Sequence, residues 1–251
     1  MATFRTIAGT IPGLIADILK RNHTLIAGTS GSGKSTLISS IIHNAILKSP
    51  GEMAFILIDP KRVDLVRYAN LPHTLRHAVS VEDSIQALKE ARDIIERRYI
   101  QMARDRQHLY NGSDIYIIID ELADLMTTAR RDVVPLIQSI GQIGRAARVH
   151  MICATQCPLA KIIPTEIKVN FDGIIGLRTR SAQDSRNILG ISGCEDLPIY
   201  GTCLYDTPKL MDITQFSVPY YPDDEIEDRI QYWERQTPRK WFGRKWVPAV
   251  C

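Results

Sequence analysis

The chain has 251 residues, 45% of them hydrophobic and 24% charged, which suits one substantial folded core in water. Its net charge of +3 rests on the tail: Arg235, Arg239, Lys240, Arg244 and Lys245 have no acidic residue among or after them, and taking these five from 31 Lys and Arg leaves 26 against 28 Asp and Glu. Bulk charge therefore does not by itself argue for nucleic acid. The five cysteines (Cys153, Cys157, Cys194, Cys203, Cys251) are odd in number and lack a C-x-x-C spacing, so they imply neither a disulfide framework nor a zinc site, but reduced cytosolic thiols. No apolar run approaches the roughly 20 residues of a membrane-spanning helix, and no signal peptide is expected, so attachment to a membrane would come through a partner.

Residues 1–22 read as an extended piece and an amphipathic helix with Ile11, Leu14, Ile15, Ile18 and Leu19 at helical spacing. His23–Ala27 reads as a strand running into a Gly/Ser-rich loop, followed by a helix from Lys34 to about Lys48 that Ser49-Pro50-Gly51 breaks. Met53–Ile58 is a continuous apolar run ending at Asp59-Pro60, the pattern of a strand buried on both faces. A long charged helix is expected over Val81–Leu109 and a second buried strand over Ile115–Ile119, ending at Asp120-Glu121. A helix over Asp132–Arg148 would place Pro135 in its first turn, where proline is tolerated. Strands follow at Val149–Ala154 and Gly173–Leu177. Beyond Ser181 the signals weaken to a short helix near Asp184–Leu189, a hairpin around Gly201–Ile213 and a helix near Asp223–Gln236. Strands alternating with helices predict an α/β fold with a mostly parallel central sheet covered on both faces.

Gly28-Thr29-Ser30-Gly31-Ser32-Gly33-Lys34-Ser35 matches G-x-x-x-x-G-K-[ST] in full, and it lies between an expected strand and an expected helix. The glycines let successive N–H groups turn inward toward phosphate oxygens, and the following helix presents its positive end to the same anion. Lys34 is expected on the β- and γ-phosphates of ATP, the Ser35 hydroxyl on Mg²⁺, and Thr36 near the α-phosphate. Asp120, at the end of a buried strand, would hold the metal through water, and Glu121 would orient and deprotonate the attacking water. An added strand between the phosphate loop and Asp120, with a glutamate directly after that aspartate, describes ATPase motors of the additional-strand, catalytic-glutamate type. Gln156, at the end of the next strand, falls on the same sheet edge, where its amide could contact the γ-phosphate or the attacking water and report hydrolysis.

In the order His23–Thr29, Ile58-Asp59-Pro60-Lys61, Glu96-Arg97-Arg98-Tyr99, Ile119–Met126, Gly144-Arg145-Ala146-Ala147, Ala154-Thr155-Gln156 and Asp184–Leu189, the chain resembles the motor domain of the FtsK/SpoIIIE DNA translocases over about residues 20–215. The Asp-Glu-x-Ala-Asp-Leu block is far more specific than a phosphate loop alone. The resemblance implies a RecA-like P-loop core, a homo-oligomeric ring, usually of six subunits, and ATP-driven movement of double-stranded DNA through its pore. Residues 1–22 would be an N-terminal extension, 23–215 the motor domain and 216–251 a C-terminal helix and tail.

Cys157 stands where the family commonly has an arginine, and Asn170–Ile174 lacks its Pro-Thr-Arg, so these departures from the family pattern leave open which arginine acts on a neighbour's ATP. Arg186 is the first candidate, followed by Arg178, Arg180, Arg145 and Arg148. Candidate DNA-facing stretches are Lys61–Arg67, the segment with Arg130 and Arg131, and Lys161–Lys168. The tail interleaves Trp241, Phe242 and Trp246 with its basic residues and is expected to pack on the core or a neighbouring subunit, with DNA, an anionic membrane surface or a partner protein as the alternatives. The size suggests a small cytoplasmic motor of a plasmid, phage or mobile element. Two other readings stay open: a protein-secretion ATPase, or an ATP-binding coupling protein docking a relaxase or portal to a membrane channel.

Overall fold

The computed structural model describes residues 5–6, 12–208, 210 and 212–236, so the expectations for Ile11 and for the aromatic tail at 237–251 fall outside the described residues. In chain order the elements are β1 (Arg5–Thr6), α1 (Pro12–Ile18), β2 (His23–Ala27), α2 (Lys34–Ala45), β3 (Met53–Ile58), β4 (Thr74–Ala78), α3 (Val81–Asp105), β5 (Asp114–Ile119), α4 (Leu122–Thr128), α5 (Arg130–Ile143), β6 (Val149–Thr155), α6 (Thr165–Lys168), β7 (Gly173–Gly176), α7 (Ala182–Leu189), β8 (Thr202–Asp206), β9 (Thr214–Ser217) and α8 (Asp223–Gln236). Among the described residues nine strands form one sheet in the order β1-β9-β8-β7-β2-β6-β5-β3-β4. From β7 to β4 all neighbours are parallel; β8 is antiparallel to both β7 and β9.

Both faces of the sheet are covered, which is why the central strands read as unbroken apolar runs. Phe55, Leu57, Tyr116 and Ile118 pack on one face with Leu14, Ile15 and Ile18 of α1, Leu37 and Ile41 of α2, and Ile226 and Ile230 of α8. Their strand neighbours Ile56, Ile58, Ile117 and Ile119 pack on the other with Leu88 and Ile95 of α3, Leu125 of α4 and Ile137 of α5.

Several boundaries differ from the sequence-based expectation. β4 was not expected: Thr74–Ala78 is short, carries Arg76 and His77, and is half-buried except at Ala78, as suits an edge strand. α3 starts at the Ser80 cap, whose hydroxyl accepts from the Asp83 N–H at 3.1 Å, and stops at Asp105 because Arg106 adopts φ 54°. The segment after Glu121 is helical, and α5 begins at Arg130, so Pro135 lies in the second turn and is tolerated on an exposed face.

Two residues of the Glu96–Tyr99 segment brace the sheet edge opposite the phosphate loop. Arg98 is buried, donates to the Ala147 carbonyl at 2.7 Å and to Ser113 Oγ at 3.2 Å, and lies 4.2 Å from the centre of the Tyr110 ring. Burial pulls its guanidinium down to about 10. Tyr99 donates its hydroxyl to the Ile143 carbonyl at 3.0 Å. Beside them Arg148 clamps Asp114 with two bonds of 2.7 Å, and His150 Nε2 lies 3.2 Å from the same carboxylate. Burial alone would push the Asp114 carboxyl up, but the hydrogen bonds and charge of His150 and Arg148 outweigh it and hold the group well below its usual range.

A carboxyl depressed in the folded state stabilises the fold above its unfolded value of about 3.9, and that contribution disappears as pH falls below it. The expected outcome is a wild-type urea midpoint that drops on acidification below about pH 4, while Asp114→Asn is less stable at neutral pH and shows a shallower acid limb. Parallel acid limbs for the two proteins would contradict this assignment.

Candidate nucleotide site

The parallel register places the ends of five strands level. Ala27 pairs with Thr155 and with Gly176, Ile58 with Ile119, and Ile119 with Cys153. The residues immediately beyond, Gly28, Asp59, Asp120 and Gln156, therefore emerge along one edge, where ligands bind in open α/β sheets.

The phosphate loop is anchored on both flanks. The Gly28 N–H donates to the Thr155 carbonyl at 3.2 Å, and the Thr29 N–H donates to the Arg178 carbonyl at 2.9 Å. Gly28 must be glycine, since a Cβ there would lie 2.6 Å from both Leu177 Cβ and Ser32 Oγ. Gly31 (φ 74°) and Gly33 (φ 93°) take the left-handed turns that close the loop, and Gly33 caps α2. Ser30 is exposed, whereas Ser32 is buried with its hydroxyl unpartnered among the described residues. Lys34, Ser35 and Thr36 form the first turn of α2, with Lys34 buried.

Glu121 is held in place by five groups. Its Oε1 accepts from Thr155 Oγ1 at 2.7 Å, and the Gln156 N–H lies 3.1 Å from both carboxylate oxygens. As the N-cap of α4 it also accepts from the Ala123 N–H at 3.3 Å. On the other side Lys34 Nζ is 3.9 Å and Lys61 Nζ 3.7 Å from Oε2. The Gln156 backbone is thus part of the site directly, while its side chain is exposed at the rim. Thr155, Lys61 and Asp64, whose carboxylate accepts from Ser35 Oγ at 2.8 Å, were not expected at this site, and Lys61 entered the sequence reading only at the head of a candidate DNA-facing stretch. The Ala-Thr-Gln and Asp-Pro-Lys segments were the available signal for the first two.

Asp120 differs from its neighbours. It is 3% exposed, and its Oδ1 is buried with no hydrogen-bond partner among the described residues. Burial pushes its carboxyl up to about 7, opposed by Lys34 and reinforced by Asp64, Asp59 and Glu121. A desolvated carboxylate with an unused acceptor beside the Ser35 helix fits a cation. Among the described residues no cluster of three or more His, Cys, Asp or Glu could hold a metal unaided.

The other sequence-derived candidates spread over the molecule. Arg186 is exposed on α7, and its side chain makes no hydrogen bond or ion pair among the described residues. Arg178 is half-buried and Arg180 exposed just beyond β7. Arg148 is committed to Asp114, and Arg145 lies in the same turn before β6, at the edge away from the phosphate loop. Of the candidate DNA contacts, Arg67 pairs with Asp223 of α8 at 2.6 Å, Arg130 donates to the Lys161 carbonyl, and Lys168 donates to the Asn187 carbonyl at 3.2 Å. Arg131 and Lys161 remain exposed.

A phosphate loop and a buried Asp-Glu pair on adjoining parts of one parallel sheet edge define a P-loop ATPase fold of the additional-strand type. The model of the FtsK/SpoIIIE family matches residues 4–112 and 106–160, and the chain belongs to this family. It is 34% identical over 250 residues to a DNA translocase FtsK of Borreliella burgdorferi, covering 85% of this chain and 32% of that protein. To a DNA translocase FtsK of Agrobacterium fabrum it is 34% identical over 280 residues, covering 94% and 31%. The chain thus spans about a third of these relatives. Among solved structures, the pCW3 conjugation coupling protein TcpA with ATPγS superposes with a TM-score of 0.74 at 26% identity, covering 86% of this chain and 66% of that one. The cytoplasmic domain of the Thermomonospora curvata type VII secretion ATPase EccC gives 0.72 at 23% identity, covering 92% and 30%, a likeness of fold.

Two outcomes test the site. Gly28→Ala should weaken binding of a fluorescent ATP analogue by roughly tenfold or more while leaving the circular dichroism spectrum unchanged. Thr155→Val, which removes one hydrogen bond to a charged group, should lower kcat about tenfold with little change in KM.

Proposed function

We propose that this chain is the motor domain of a Mg²⁺-dependent ATPase that moves double-stranded DNA as a homo-oligomeric ring, probed most directly at six subunits. The observation that carries this reading is Glu121: a buried carboxylate, fixed by Thr155 and Gln156 next to the phosphate loop, in a chain matched along most of its length by DNA translocases.

In this reading the backbone of residues 28–33 and the Lys34 ammonium bind the β- and γ-phosphates of ATP. Ser35 and Asp120 would hold Mg²⁺, which neutralises phosphate charge when bound. Glu121 orients a water and takes its proton, and the ammonium groups of Lys34 and Lys61 stabilise its negative charge. The Gln156 amide senses the γ-phosphate from the rim. Arg186, exposed and without a partner among the described residues, reaches the nucleotide of a neighbouring subunit. No described helix is long and apolar enough to cross a membrane. A membrane channel, relaxase or portal would be engaged as a partner.

A second reading, a coupling or secretion ATPase, is favoured by the likeness to the conjugation coupling protein TcpA. The ATPase rate with and without linear double-stranded DNA, at two salt concentrations and beside Glu121→Gln, separates the two. The translocase reading expects DNA stimulation that weakens at higher salt, because phosphate contacts release counterions, and that vanishes in the variant. A rate indifferent to DNA but raised by a protein substrate would move the assignment to secretion.

A further inference from the structure

The segment after β3 touches both halves of the nucleotide site. Asp59 is fully buried, and its carboxylate accepts from the N–H groups of Arg62 (2.9 Å), Val63 (2.9 Å) and Leu65 (3.0 Å). Residues 60–65 are therefore wound around one side chain, with Arg62 at φ 60° and Leu65 sunk in the core. Three backbone donors on one carboxylate make a defined loop of a segment that would otherwise be free to wander.

The loop delivers two side chains in different directions. Asp64 Oδ2 accepts from Ser35 Oγ at 2.8 Å, on the first turn of α2. Lys61 Nζ lies 3.7 Å from Glu121 Oε2 and 3.3 Å from Asp124 Oδ2, at the start of α4. Burial lowers the Lys61 ammonium, but the charges of Glu121 and Asp124 more than offset it, so the group stays cationic. A serine hydroxyl has one proton and two lone pairs. With the proton committed to Asp64, both lone pairs are free to face a cation. With Lys61 on Oε2 and Thr155 on Oε1, the plane of the Glu121 carboxylate is set from two sides.

We propose that the Asp59–Leu65 loop is a positioning element of the ATPase site, in which Asp64 orients Ser35 toward the metal and Lys61 orients Glu121 toward the attacking water. The proposal rests on the ATPase reading above and assigns roles to Asp64 and Lys61 through Ser35 and Glu121, without direct contact to the reacting atoms. Because both side chains come from one loop, metal binding and base orientation are linked mechanically. The outer face of that loop is open, with Val63 67% exposed and Val66, just past it, 50% exposed, so whatever touches it bears on both.

The first test is equilibrium binding of a fluorescent ATP analogue, in Mg²⁺ and in EDTA. Asp64→Ala should lose about tenfold of the affinity that Mg²⁺ confers, the size typical of a lost outer-shell partner, with binding in EDTA unchanged. Asp64→Asn, which keeps an acceptor oxygen, should recover most of it. Equal losses in EDTA and Mg²⁺, or no loss at all, would overturn the role of Asp64. The second test is single-turnover hydrolysis at saturating nucleotide. Lys61→Ala should slow it about tenfold with KM unchanged, Lys61→Arg should restore it, and adding Lys61→Ala to Glu121→Gln should cost nothing further. An equal loss in the Glu121→Gln background would show that Lys61 acts elsewhere and overturn its role. A wild-type chain that binds Mg²⁺-nucleotide without turnover would end the ATPase reading, while the binding test would still decide the Asp64 assignment.

Discussion

The parallel register of β2, β3, β5, β6 and β7 is the constraint on which the rest depends. Pairings such as Ala27 with Thr155 and Ile58 with Ile119 bring the strand ends to one level, and the groups at the nucleotide site are carried on the loops and first helical turns that follow those ends. The register is held by burial on both faces: shifting β3 by one residue would exchange Phe55 and Leu57 for Ile56 and Ile58 and mismatch both layers of helices. A rigid sheet thus lets short loops present chemistry with little freedom of their own.

Charge is distributed by the same geometry. Asp59, Asp64, Asp120, Glu121 and Asp124 crowd one edge of the sheet with only Lys34 and Lys61 interleaved among the contacts found there. Each carboxylate reaches a different settlement. Asp59 is satisfied by backbone N–H groups, Asp64 by a serine hydroxyl, and Glu121 by a hydroxyl, two N–H groups and two ammonium groups. Asp120 retains a buried acceptor without a partner among the described residues and is raised to about 7. A group left costly in this way, among neighbours that are paired, is where a ligand gains most by binding.

The opposite edge of the sheet shows the contrast. There Asp114 is also buried, but Arg148 and His150 saturate it and depress its titration. Arg98 and Tyr99, from a segment that helped to identify the family, serve this brace and not the chemistry. Arg148, a sequence-derived candidate for a trans-acting arginine, is bound into it. Motif membership therefore marks two kinds of residue in this chain, and only the contacts separate them.

The phosphate loop, Asp120, Glu121 and the buried strands were legible in the sequence because their signals are short-range: glycine φ freedom, an apolar run, a carboxylate at its end. The edge strand β4, the helix α4 and the early end of α3 were not, since a half-buried segment and a cap carry little periodicity of their own. By itself the sequence determined the fold class, the nucleotide loop and the two carboxylates beside it. Only the tertiary structure decided that Asp64 meets Ser35 across 29 residues and Thr155 meets Glu121 across 34, because such meetings follow from the order in which strands lie in the sheet. That order is set by the burial of whole faces, which no local pattern encodes.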